Sequence, residues 1–158
     1  MQPYNLAETM ARVLLIRETY EHSKRVEASV AARSGALILD AVVALCHDVL
    51  EESTLTRDEL AEMVGESAAN SVQILTRRKD EEYSSYIQRI IASGDERAML
   101  VKYYDLRDNI ARCSGQHGGE INAALAGRYD TAACLIATAL VTRGVVRFTE
   151  ADENEEAR

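Results

Sequence analysis

Tryptophan is absent from this chain, and phenylalanine and proline occur once each, the proline at Pro3. Sheet-rich domains draw on aromatic residues and break their strands with glycine and proline, so this palette argues against one. Only 8 glycines punctuate the 158 residues, which leaves long stretches free to run as helix. Cysteine is scarce as well: Cys46, Cys113 and Cys134 show no CxxC spacing. Each falls inside or at the end of an expected helix and reads as a small, buried apolar residue in a reducing cytosol. No apolar run approaches membrane-spanning length and the start does not resemble a signal peptide, so the expected location is cytoplasmic, with no membrane partner. Positive charge is also in deficit: 18 Lys and Arg stand against 26 Asp and Glu, for a net charge of −8. Such a surface repels phosphate backbones and anionic lipids, which argues against duplex nucleic acid as a partner.

What the chain does have is 47% hydrophobic residues, with alanine, leucine, glutamate and arginine dominant. That is enough for a packed core and too much for a disordered chain. The expected class is all-α, one domain over residues 1–146, followed by an acidic, frayed tail at 147–158. A second copy of the chain stays open as a partner.

Leu6, Met10, Val13 and Leu14 repeat at helical spacing over 5–17, and Val26 with Ala28–Ala32 carries a second helix over 22–34 that stops near Ser34-Gly35. A third, 36–52, is apolar nearly all round until its last turn, which predicts a central position. Thr56-Arg57-Asp58-Glu59 reads as a capping box opening a short helix that closes at Gly65. Further helices are expected near 66–76, 82–93 and 95–112, then a glycine-containing loop, then a long helix over about 120–142.

The last turn of the third helix is the anomaly. After Ala41-Val42-Val43-Ala44-Leu45 come Cys46-His47-Asp48-Val49-Leu50-Glu51-Glu52. On a continuous helix His47, Asp48, Glu51 and Glu52 share one face at spacings of three and four. Imidazole with carboxylate is a donor set for Mn²⁺, Fe²⁺ or Zn²⁺ that leaves positions open for water or a phosphate oxygen. One helical turn cannot surround a metal, so other helices must contribute. Of the two remaining histidines, His22 opens the second helix, whereas His117 sits in a glycine-rich loop and reads as exposed. Asp105 lies on an apolar helix with Asn109 one turn further on. A buried aspartate there needs a cation, and either a metal or a salt bridge to Lys102 or Arg107 supplies one.

The order His22, His47-Asp48, Asp105 resembles the H…HD…D signature of HD-domain metal-dependent phosphohydrolases. The finer likeness is to the alarmone hydrolase domain of RelA/SpoT-type proteins and their small stand-alone relatives, including the metazoan SpoT homologues. Tyr20-Glu21-His22-Ser23-Lys24-Arg25-Val26 is similar to that family's Y-x-x-H-P-x-x-V, with Ser23 in place of proline and one residue fewer before the histidine. Ala44 through Ser53 is similar to A-L-L-H-D-x-x-E-D-T, with Glu52 where the family has Asp. Val101-Lys102-Tyr103-Tyr104-Asp105 through Asn109 resembles V-K-L-A-D-x-x-x-N. The likeness covers residues 10–140 and implies an HD-type helical bundle that hydrolyses without synthesising.

The resemblance further implies metal ligation by His22, His47, Asp48 and Asp105, most simply around Mn²⁺, with Fe²⁺, Zn²⁺ or Mg²⁺ as alternatives. It implies that Glu51 and Glu52 orient and deprotonate the attacking water. The implied substrate is a phosphorylated nucleotide, first of all (p)ppGpp losing its 3′-pyrophosphate. A nucleotidase or dNTP hydrolase, and a nucleotide-binding module without turnover, are the other readings. On the substrate side the same likeness points to Lys79, Lys102, Asn109 and Tyr129. Each also has a plain structural reading: Arg77-Arg78-Lys79 as charges offsetting a helix dipole, Lys102 as a partner for a core acid, Tyr129 as a half-buried packing residue. Tyr83 and Tyr86, three apart, read as packing residues. The basic pair that the family places before its first metal histidine has only Arg17 as a near candidate.

Overall fold

The computed structural model describes residues 2–33 and 35–145, and it is an all-α bundle with no strand among the described residues. The acidic tail and the stop at Ser34 lie outside the described residues. Helix α1 (Pro3–Leu14) starts with proline at its first turn, where a missing N–H costs nothing, and buries Ala7, Met10 and Ala11 at helical spacing. Helix α2 (Arg17–Ala32) buries Val26 and Val30, but also His22, Ser23 and Glu27, along one face. A core face that carries an imidazole is the first structural sign of a site.

The expected helix over 36–52 is two helices: α3 (Ile38–Cys46) and a single turn, α4 (Val49–Glu52), separated at His47-Asp48. The break has a local cause. His47 Nδ1 donates to the Ala44 carbonyl at 2.7 Å, and a side chain inserted into the backbone ladder interrupts it. Both residues keep right-handed helical backbone angles across the break, so His47, Asp48, Glu51 and Glu52 still line one cleft. Helix α3 is buried continuously from Asp40 to Cys46, each Val or Leu contributing roughly 1.5–3 kcal/mol. Asp40 starts it: one carboxylate oxygen accepts the Leu37 N–H at 2.9 Å and the other accepts Arg97 Nε at 2.8 Å.

The capping box at Thr56 is present as expected, Thr56 N–H donating to Glu59 Oε2 at 2.8 Å at the head of α5 (Arg57–Val64). Gly65, at φ +89°, lets the chain turn directly into α6 (Glu66–Leu75). Helix α7 (Tyr83–Ser93) ends on left-handed Gly94, and α8 (Glu96–Cys113) opens on Asp95, whose side chain accepts the Ala98 N–H. A short 3₁₀ turn, Gln116–Gly118, leads to α9 (Ala123–Thr142).

Helix α8 is the hub, packing against α9, α2, α3, α6 and α7, while α3 packs against α1, α2, α6 and α8. The site forms where α2, the end of α3 and the middle of α8 converge. Two expectations change here. Cys134 is exposed, unlike buried Cys46 and Cys113, because it falls on the side of α9 turned from α8. And α9, at 20 residues with a mean hydropathy of 1.2, is long and apolar enough by composition to cross a membrane, whereas no run of that length was expected. In this structure it lies along α8 and carries Arg128 and Asp130.

Candidate metal centre and cleft

Three elements deliver the polar cluster. His22 comes from α2, His47 and Asp48 from the break between α3 and α4, and Asp105 from α8. His22 Nε2 is 3.0 Å from Asp105 Oδ1 and 4.0 Å from Asp48 Oδ2. His47 Nε2 is 3.2 Å from Asp48 Oδ2 and 3.7 Å from Asp105 Oδ1. The two imidazoles meet edge to face with centroids 5.2 Å apart. Ligand atoms of His22, His47 and Asp48 all lie within 4.8 Å of one another. His22, His47 and Asp105 are each about 95% buried.

The donor set passes a chemical test for a divalent cation. With its Nδ1–H given to Ala44, His47 keeps a lone pair on Nε2, and that buried atom has no hydrogen-bond partner. An orphaned buried imidazole nitrogen among carboxylate oxygens is suited to a cation. The electrostatics agree. Burial opposes charge on both rings, yet contacts with Asp105 and Asp108 hold the His22 pKa above its ordinary value, and Asp48 and Asp105 hold His47 well above. Burial likewise opposes a charged Asp105, but Lys102 and the two histidines keep its pKa well below the usual range. Positive charge is thus stabilised at this point, and a metal there competes with protons.

A cleft of about 290 Å³ opens over the cluster. Glu51 and Glu52 stand at its edge, and Glu51 Oε1 accepts the Arg77 backbone N–H at 2.5 Å. Glu51 is exposed as a residue, but crowding around its carboxyl group pushes its pKa up, the Arg77 contact only partly offsetting that. Lys102, Asn109 and Tyr129 all line the cleft. Lys102 Nζ donates to Asp105 Oδ2 at 2.7 Å, the core-acid pairing anticipated for it, and Asn109 Nδ2 donates to Asp105 Oδ1 at 2.7 Å. Tyr129 meets Tyr83 edge-on, centroids 6.1 Å apart.

Lys79 is not brought to the cleft. It sits in the exposed turn after Arg77-Arg78, and Arg77 forms the wall in its place. The physical reason is the pinning of this segment: the Arg77 guanidinium donates to the Glu81 carbonyl, so the chain doubles back and carries Lys79 outward. Sequence reasoning also missed cleft residues. Tyr83 and Tyr86, expected only to pack, both face it, together with Thr19 and Arg112. The Tyr83 ring lies beneath the guanidinium groups of Arg128 and Arg77, at 4.8 and 5.6 Å, and its buried hydroxyl has no hydrogen-bond partner. The three-residue spacing of Tyr83 and Tyr86 marked a shared face without saying that the face borders a cavity.

No family model matches the chain. Over 75 aligned residues it is 35% identical to the guanosine-3′,5′-bis(diphosphate) 3′-pyrophosphohydrolase of Aquifex aeolicus (strain VF5). That alignment covers 44% of this chain and 11% of the relative. By its name that relative is a hydrolase. The all-helical fold and a cluster able to hold a metal ion are features of this chain itself.

Proposed function

We propose that this chain is an HD-type, metal-dependent phosphohydrolase acting on a phosphorylated nucleotide, with removal of the 3′-pyrophosphate of (p)ppGpp as its first candidate reaction. One observation carries the reading: His22, His47, Asp48 and Asp105, scattered over the sequence, converge at the floor of one cleft with His47 Nε2 left orphaned. The partial likeness to a (p)ppGpp 3′-pyrophosphohydrolase supports the choice of substrate to try first.

In this reading those four side chains hold a divalent cation, Mn²⁺ before Fe²⁺, Zn²⁺ or Mg²⁺. When bound, such a cation lowers the pKa of water and offsets charge at a phosphorus centre. Glu51 accepts the proton of the attacking water, its pKa raised towards the working range of a general base. Glu52 stands beside it and assists in orienting that water. Arg77, Arg112 and Lys102 provide the positive wall that an acidic protein must concentrate to receive phosphate groups. Tyr83 and Tyr129 offer ring faces and edges for a base. The cytoplasm is the compartment we propose, supported by three cysteines that are all unpaired.

A panel of nucleotides incubated with the Mn²⁺-loaded chain, with phosphate and pyrophosphate read separately, tests the proposal. Pyrophosphate from ppGpp supports it. Phosphate or triphosphate released from other nucleotides instead points to the broader HD class, and no release from any nucleotide overturns hydrolysis. A binding module without turnover is favoured by one feature: Glu52 stands where the resembled family has Asp, and the extra methylene shifts a carboxylate beside the attacking water. In that case the chain binds metal and nucleotide unchanged, and Glu52→Asp restores turnover. A Glu52→Asp rate no higher than that of an active wild type removes that reading.

A further inference from the structure

The ligand-bearing faces of α2 and α8 form a ladder of two rungs, spaced three residues apart along each helix. His22 and Arg25 on α2 face Asp105 and Asp108 on α8. The second rung was not visible in the sequence. Asp108 Oδ2 is 2.6 Å from His22 Nδ1, and Arg25 grips the same carboxylate in bidentate fashion, Nε to Oδ1 at 2.7 Å and Nη2 to Oδ2 at 3.0 Å. The Asp108 side chain is 9% exposed, and it does not line the cleft.

The consequences follow from imidazole chemistry. A neutral ring has one N–H and one lone pair, and the partner of the first decides where the second points. An acceptor-only carboxylate on Nδ1 requires a proton there, so whenever the ring is neutral its lone pair is on Nε2, the atom that otherwise donates to Asp105 Oδ1 at 3.0 Å. Nε2 is the atom that faces Asp105 and Asp48. Arg25 in turn denies Asp108 the freedom to rotate away, since two parallel N–H···O contacts fix the plane of the carboxylate. His47 reaches the same state by a different route, through the Ala44 carbonyl. Both rings are thus set with Nε2 towards a common point.

We propose that Asp108, clamped by Arg25, is a positioning residue that fixes the His22 tautomer and ring plane for metal ligation. This rests on the metal reading above, and adds to it the group that makes His22 a competent ligand. Loss of such a carboxylate partner costs roughly 10–100-fold in metal affinity. Asparagine at 108 keeps the size but can turn its NH₂ towards Nδ1, which favours the wrong tautomer. Arg25→Gln leaves Asp108 its charge but frees it to rotate, so a smaller loss in the same direction is expected.

The test is calorimetric titration of the metal-free wild type, D108N and R25Q with Mn²⁺, together with long-range ¹⁵N–¹H correlation of the His22 ring in Zn²⁺-loaded protein. The expected result is a roughly 10–100-fold weaker affinity for D108N, and a wild-type His22 that carries its proton on Nδ1. Equal affinity of D108N and wild type overturns the role of Asp108 while leaving the metal centre intact. A wild type that binds no divalent cation overturns the metal reading and this inference with it. Should D108N not fold, R25Q decides: a weaker Mn²⁺ affinity than wild type supports the clamped Asp108, and an equal affinity contradicts it.

Discussion

The backbone N–H of Arg77 donates to Glu51 Oε1 at 2.5 Å, joining the acid at the cleft edge to a segment 26 residues further along the chain. That segment is itself held from outside the cleft. Arg89 donates to the carbonyls of Ile74 and Thr76 at 2.9 and 3.0 Å, and to both oxygens of Glu81 at 2.6 and 2.9 Å. Arg89 thus sets the path of the chain just before the residue that fixes Glu51. Replacing it by methionine is expected to destabilise the fold by about 1–3 kcal/mol. Misplacement of Glu51 should also lower kcat by roughly 10–100-fold. Metal affinity is expected to stay unchanged, because no proposed ligand touches this segment. Chemical denaturation, steady-state kinetics and a metal titration on one preparation separate the three effects.

The Glu81–Arg89 pair also gives a pH dependence with a definite sign. The hydrogen bonds from Arg89 lower the Glu81 pKa from 4.5 to about 2. A carboxyl group depressed in the folded state contributes stability that is fully present above its unfolded pKa and lost as pH falls through the folded one. Wild type should therefore exceed Glu81→Gln in stability above about pH 5. The gap between the two denaturation midpoints should close as pH falls towards 2. A gap independent of pH contradicts this coupling.

Much of the architecture was legible in local signals. The Thr56–Glu59 box and the stop at Gly65 are properties of a few adjacent residues, and they predict α5 to within a residue. What was hidden depended on groups meeting across helices. Asp108 carried no signal in the sequence, because only the packing of α2 on α8 brings Arg25 and His22 to it. Lys79 looked equivalent to Arg77, because nothing local shows that Glu81 reverses the chain between them. The break at His47 was masked by an apolar pattern that runs on regardless. The imidazole that causes it is the same feature that marked the site.

Lys102 carries a prediction in which stability and metal are linked. It is buried beside Asp105, 2.7 Å away, and its Nζ lies 4.9 Å from the Tyr86 ring centroid. Lys102→Met strands a buried carboxylate, which typically costs about 3–5 kcal/mol. A divalent cation at the cluster should restore part of that loss, so Mn²⁺ is expected to raise the melting temperature of the variant more than that of wild type. Equal shifts in thermal melts with and without Mn²⁺ would place the cation away from Asp105.

Glu51→Gln separates holding a metal from moving a proton. The amide preserves the shape and can still accept the Arg77 N–H, but it cannot take a proton from water. Turnover on the best substrate of the nucleotide panel should fall by about 100–10,000-fold. Mn²⁺ affinity should change little, since Glu51 is not among the proposed ligands. Wild-type turnover in this variant would remove Glu51 from the role of base and leave Glu52 to be tested in its place.

The most direct test of the central claim is an anomalous difference map from crystals of the chain loaded with Mn²⁺. The account predicts one dominant peak at the floor of the cleft, roughly 2.0–2.2 Å from ligand atoms of His22, His47, Asp48 and Asp105. The peak should vanish in Asp105→Asn crystals grown the same way. A map with no peak there, or a dominant peak bound by other residues, would contradict the assignment of this cluster as a metal centre.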